Sequence, residues 1–120
     1  MKNTIHRFLQ ILFLSLLFTQ LISAQGWERT FGGNGEDEAF DVIATVDGGY
    51  AIVGFSETQG SVSKNVTLIK TNEEGETEWM NSFGDAGADL GFGLIQEPDG
   101  SYLVVGQTNG FGNGLSLIHI

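Results

Sequence analysis

The stretch from Trp27 to Ser56 occurs twice, and this constrains the chain more than any other feature. Moved forward by 52 residues without a gap, it falls on Trp79 to Thr108. Twelve of the 30 positions are then identical: Trp27/Trp79, Phe31/Phe83, Gly32/Gly84, Gly35/Gly87, Asp37/Asp89, Phe40/Phe92, Ile43/Ile95, Asp47/Asp99, Gly48/Gly100, Tyr50/Tyr102, Val53/Val105 and Gly54/Gly106. Chance alone gives about two at ordinary residue frequencies. A period near 50 residues is the mark of a stacked or radial repeat architecture, in which no unit covers its own apolar faces.

Within each copy the pattern is that of strands and tight turns. Glu38 to Val46 alternates Phe40, Val42, Ala44 and Val46 with Asp41, Ile43 and Thr45, the period of a strand. Asp47-Gly48-Gly49 follows at once and predicts a hairpin, because the turn needs a positive φ that glycine adopts freely. Tyr50 to Ser56 is the returning strand. Phe92 to Glu97, Pro98-Asp99-Gly100-Ser101 and Tyr102 to Thr108 repeat the plan, with Pro98 placed where φ is pre-set and no ladder donor is needed. Gly54 and Gly106 interrupt well-packed strands, which points to a bulge or to a close approach of another backbone. A polar loop over Glu57 to Asn65 leads to a third strand, Val66 to Thr71. After the turn Asn72-Glu73-Glu74-Gly75 comes a fourth, Glu76 to Phe83. Four short antiparallel strands in about 50 residues is the size of one propeller blade. The expected fold is therefore all-β, with tandem four-stranded antiparallel blades of a β-propeller, under two blades in all, preceded by a signal-peptide helix.

The expected division is 1–24 signal peptide, 25–83 first repeat and 84–120 second repeat, truncated. Lys2 and Arg7 supply a positive start, and Phe8 to Phe18 is apolar at nine of eleven positions. Ile22-Ser23-Ala24 then offers a small residue before Gln25. That is the plan of a secretory leader, and its apolar core falls short of the roughly 20 residues of a membrane span. Secretion or display at the cell surface follows as an expectation. Leu115-Ser116-Leu117-Ile118 can stand for Val66-Thr67-Leu68-Ile69 after a shorter loop. The string from Leu115 to Ile120 is also similar to translated sequencing-adapter sequence. Under either reading the natural protein is expected to be longer.

All 15 Asp and Glu follow the leader, opposed there only by Arg29, Lys64 and Lys70. Such a balance repels phosphate backbones, so nucleic acid is not an expected partner. There is no cysteine, so stability rests on burial and sheet hydrogen bonds.

Trp-x-x-x-Phe-Gly-Gly, an Asp a few residues on, Asp-Gly-Gly-Tyr-x-x-x-Gly, and then Leu-Ile-Lys-Thr-Asn before Gly-x-x-x-Trp are similar to the repeats of secreted bacterial β-propeller proteins. Such repeats are typical of large proteins exported by type IX secretion. The resemblance covers Trp27 to Thr108. It implies a repeat scaffold and says almost nothing about activity.

No residue set reads as a catalytic centre. Gly32-Gly33-Asn34-Gly35-Glu36-Asp37 resembles the Gly-Gly-x-Gly-x-Asp of calcium-binding β-helices, but copies 52 residues apart cannot share ions as those nine-residue turns do. Asp37 and Asp89 are expected to accept backbone N–H bonds in turns instead. Glycosidase chemistry needs two facing carboxylates. Asp47 and Asp99 are taken up by hairpin turns, and Glu73, Glu74, Glu76 and Glu78 read as a solvated face. His119 is the one histidine after the leader, so a Ser-His-Asp arrangement would depend on it alone. Asn65-Val66-Thr67 fits a glycosylation acceptor and reads as a coincidence in a loop. Trp27 and Trp79 suit either the seam between successive sheets or a sugar-stacking platform, packing being favoured. The expectation is a non-enzymatic exported module without cofactor or metal, a scaffold or binding domain for an unknown protein or glycan. The alternative is the N-terminal part of an extracellular carbohydrate-active enzyme whose catalytic residues lie outside this chain.

Overall fold

The computed structural model describes residues 26–57, 63–110 and 114–120. The expected leader at 1–24 lies outside the described residues. The described chain is all-β, with seven strands: β1 (Asp37–Ala44), β2 (Tyr50–Glu57), β3 (Lys64–Thr71), β4 (Thr77–Phe83), β5 (Asp89–Gln96), β6 (Tyr102–Thr108) and β7 (Gly114–His119). β1 to β4 form one antiparallel meander and β5 to β7 a second, three-stranded one.

The hairpins turn where Asp-Gly and Glu-Gly stand. Thr45 and Gly49 close the first turn by a 2.9 Å backbone bond, and Glu97 and Ser101 close its counterpart at 2.8 Å. Gly48 and Gly100 take φ of 91° and 92°, the left-handed region that a side chain would make costly. Gly75 does the same at 76° in the turn between β3 and β4.

Pairing of β1 with β2 and of β5 with β6 follows one register. Asp37 faces Ser56 and Ala44 faces Tyr50, while Asp89 faces Thr108 and Gln96 faces Tyr102. Each pair skips one residue at the same place, between Ala39 and Asp41 and between Gly91 and Gly93. These are bulges, and they account for Gly54 and Gly106. A methyl group on Gly54 would fall 1.8 Å from the Glu38 carbonyl oxygen, and one on Gly106 would fall 2.0 Å from that of Leu90. The bulge also divides the faces of β1. Val42 and Val46 are exposed, whereas Thr45 is buried and Ile43 packs on the core.

That core lies between the two sheets. Ala51, Val53, Val66 and Leu68 of the first sheet meet Leu94, Tyr102 and Val104 of the second. Alternation puts those four residues on one face of β2 and β3 and leaves Tyr50 and Ile52 on the other. Tyr102 and Val104 likewise share one face of β6, with Leu103 and Val105 opposite. The inner edges join through Phe40 and Phe92, whose rings meet edge-on at 5.2 Å. Two polar ties add direction: the Leu94 N–H donates to the Asp41 carboxylate at 3.0 Å, and the Val46 N–H donates to the Gln96 side-chain oxygen at 2.9 Å.

Candidate functional site

The two tryptophans occupy matching places. Trp79, on β4, meets the edge of Tyr102 on β6 at 5.7 Å and 69°, so it bridges the two sheets. Trp27 meets Tyr50 at 5.6 Å and 65°, against the face of the first sheet that points away from the second. Trp27 is also fixed by its indole N–H, which donates to the Glu73 carbonyl at 2.9 Å. Its ring lies over Gly75, where a methyl group would come within 2.4 Å. Both indoles are thereby used in packing, although Trp27 keeps 43% of its surface open.

Asp37 and Asp89 clamp the glycine-rich loops that precede β1 and β5. One Asp37 oxygen accepts the Gly33 N–H at 2.8 Å and the other accepts the Ser56 hydroxyl. That hydroxyl, and then the Gly33 N–H, hold the Asp37 carboxyl below its ordinary pKa. Asp89 accepts the Asp85 N–H at 3.1 Å and is buried. These are turn bonds rather than an ion cage. Among the described residues no group of three or more His, Cys, Asp or Glu could hold a metal ion.

The hairpin carboxylates have different surroundings. Asp99 accepts both the hydroxyl and the N–H of Ser101, at 2.6 and 3.0 Å, and these bonds lower its pKa. His119 Nε2 lies 3.1 Å from the same Ser101 oxygen. Ser101, His119 and Asp99 are thus brought together, but in the wrong order for nucleophilic catalysis. The serine hydroxyl sits between the acid and the imidazole and gives its proton to Asp99. A hydrolase triad needs the imidazole in the middle, with the acid on its far nitrogen.

Asp47 belongs to a charged cluster that the reading of the sequence missed. Lys70 is buried on β3, and its ammonium makes three bonds: to Asp47 at 2.9 Å, to Glu78 at 2.7 Å and to the Thr71 carbonyl at 2.8 Å. Burial works to lower the Lys70 pKa, but the bonds to Glu78 and Asp47 outweigh it and the pKa is raised. The Thr45 hydroxyl, then Lys70 and the Gly49 N–H, hold Asp47 far below the usual carboxylate range. All three ammonium donors are engaged, so the cluster is a fully paired brace between the hairpin turn and the outer strand. The group Glu73, Glu74, Glu76 and Glu78 is exposed, as a solvated face would be, yet Glu78 is committed to Lys70.

Asn65 lies on β3 and not in the loop expected for it. Its side-chain oxygen is buried without a hydrogen-bond partner. The strand starts earlier because Lys64 pairs across the ladder with Glu57, forms an ion pair with Glu36 at 2.9 Å and stands 4.3 Å over the Phe55 ring.

Comparison of the chain with family models, with curated proteins and with solved structures found no match.

Proposed function

We propose that the chain is a non-enzymatic, exported repeat module of the β-propeller kind, serving as a scaffold or binding domain outside the cell. One observation carries this reading: the Trp79–Tyr102 contact that joins the two sheets recurs as Trp27–Tyr50, 52 residues earlier. A contact that repeats with the sequence period is what a series of blades requires, each sheet covering the next. The apolar stretch and small residues at 1–24 support export. The acidic balance supports a solvated surface, and the paired or turn-bound state of Asp37, Asp47, Asp89 and Asp99 supports a structural use of these carboxylates. The ligand would be a protein or glycan of the extracellular surface.

The test is export and binding of the full chain. Expressed in a bacterium with a general secretory pathway, it should leave the cytoplasm and begin at Gln25 by mass. The purified product should retain a glycan or surface protein without altering it. Retention in the cytoplasm with residues 1–24 intact would count against export. Release of shortened glycans would favour the carbohydrate-active alternative.

A further inference from the structure

The two outward faces of this two-sheet unit are the two halves of its internal seam. Val53 pairs with Leu68 in the first sheet, and Val105 pairs with Leu117 in the second. Leu117 therefore stands to Val105 as Leu68 stands to Val53, and Leu115 takes the place of Val66. Val53, Val66 and Leu68 are 0–1% exposed because the second sheet covers them, whereas Val105, Leu115 and Leu117 are 45%, 88% and 69% exposed. On the other side, Tyr50 and Ile52 repeat Tyr102 and Val104, the residues that the second sheet presses into the seam. Tyr50 and Ile52 line an open groove with Trp27, Phe31 and Val42. The outer face of the second sheet and the open face of the first are thus complementary by construction.

The backbone is complementary too. Trp27 to Phe31 corresponds to Trp79 to Phe83, which is most of β4, yet it is unpaired in either sheet. β4 lies on β3 with Trp79 opposite Lys70, Asn81 opposite Leu68 and Phe83 opposite Val66. The same register places Trp27 opposite His119, Arg29 opposite Leu117 and Phe31 opposite Leu115. Within one chain this pairing is barred. Trp27 is held against the open face of the first sheet by Tyr50 and Glu73, and β7 belongs to the sheet stacked on its opposite face.

We propose that a second copy of this chain docks head to tail. The second sheet of one copy covers Tyr50 and Ile52 of the next, and Trp27 to Phe31 of that next copy adds to β7 as a fourth strand. The interface is heterologous, so it propagates to a ring or an open chain rather than stopping at a symmetric dimer. Strand addition satisfies the free β7 edge, and apolar contacts in the seam supply affinity. This docking rests on the packing of the two sheets and not on export or ligand binding, so failure of either of those leaves it standing.

The chain has no cysteine, so single thiols can be placed at will. Full chains carrying Arg29→Cys and Leu117→Cys are mixed in equal amounts and oxidised mildly. The 29–117 disulfide should exceed the 29–29 and 117–117 products by about tenfold, because docking raises the effective concentration of that pair alone. Val105→Asp in the Leu117→Cys chain should remove the excess. The unmodified chain, followed by sedimentation across the micromolar range, should grow past a dimer as concentration rises. Statistical amounts of the three disulfides, a strict dimer, or a monomer at every concentration would each overturn the proposal.

Discussion

Replacing Leu68 with alanine tests the seam directly. Leu68 is fully buried, pairs with Val53 across the ladder and packs among Ala51, Val66, Leu94, Tyr102 and Val104. The substitution removes three carbons, which at about 0.8 kcal/mol each amounts to about 2.4 kcal/mol of transfer free energy. Sheets held by paired backbones cannot collapse freely into the space, so a cavity term brings the cost to about 3–4 kcal/mol. At roughly 4–8 °C per kcal/mol for a domain of this size, Tm should fall by about 12–30 °C. Leu117 is the same residue type at the corresponding register position but is 69% exposed. Leu117→Ala should therefore stay within about 0.5 kcal/mol when measured in dilute solution. Urea titration of the full chain, read by tryptophan fluorescence at low micromolar concentration, measures both midpoints. The reasoning fails if Leu68→Ala costs less than about 1 kcal/mol, or if the two variants lose equal stability.

Two other outcomes follow from the turns and the charged cluster. Gly75→Ala forces a side chain onto a φ of 76° and into the Trp27 ring, whereas Gly100→Ala meets a φ of 92° with nothing within 4 Å. The first should red-shift tryptophan emission and cost more than the roughly 1–2 kcal/mol of left-handed strain expected for the second; equal costs and unshifted spectra would contradict the Trp27 contact. Asp37, Asp47 and Asp99 have folded pKa values below their ordinary ones, so their contribution is complete above about pH 4 and is lost as the pH falls through the lowered values. Asp47→Asn should shallow this acid loss in melts taken from pH 6 to pH 2, and an unchanged acid slope would contradict the Lys70 brace.

The strands and turns of this fold are legible because local chemistry decides them. Asp47-Gly48 and Asp99-Gly100 announce their hairpins, since few other pairs tolerate the required backbone, and Gly54 and Gly106 mark the bulges by what they must leave out. Non-local features are not legible in the same way. Lys70 stands in the run Leu-Ile-Lys-Thr, where a lysine reads as the solvent side of a strand. It is buried only because Asp47, on an earlier hairpin, and Glu78, on the next strand, converge on its ammonium. Asp41 reads as an exposed strand carboxylate, yet it receives the Leu94 N–H from the second sheet. Which face of β1 turns inward is hidden too, because the bulge at Phe40 resets the alternation halfway along the strand. The meeting of His119 with Ser101 depends on β7 pairing with β6, and only the assembled sheet shows that the proton order is wrong for catalysis.

The central claim is that two sheets of one register stack through equivalent aromatic contacts. Proton NMR of the chain tests it most directly, through nuclear Overhauser effects among the aromatic side chains. The account predicts cross-peaks between the Trp79 and Tyr102 rings, matched by cross-peaks between Trp27 and Tyr50, with none between Trp27 and Tyr102. Tryptophans in unlike surroundings, or contacts of both indoles with one shared tyrosine, would contradict it.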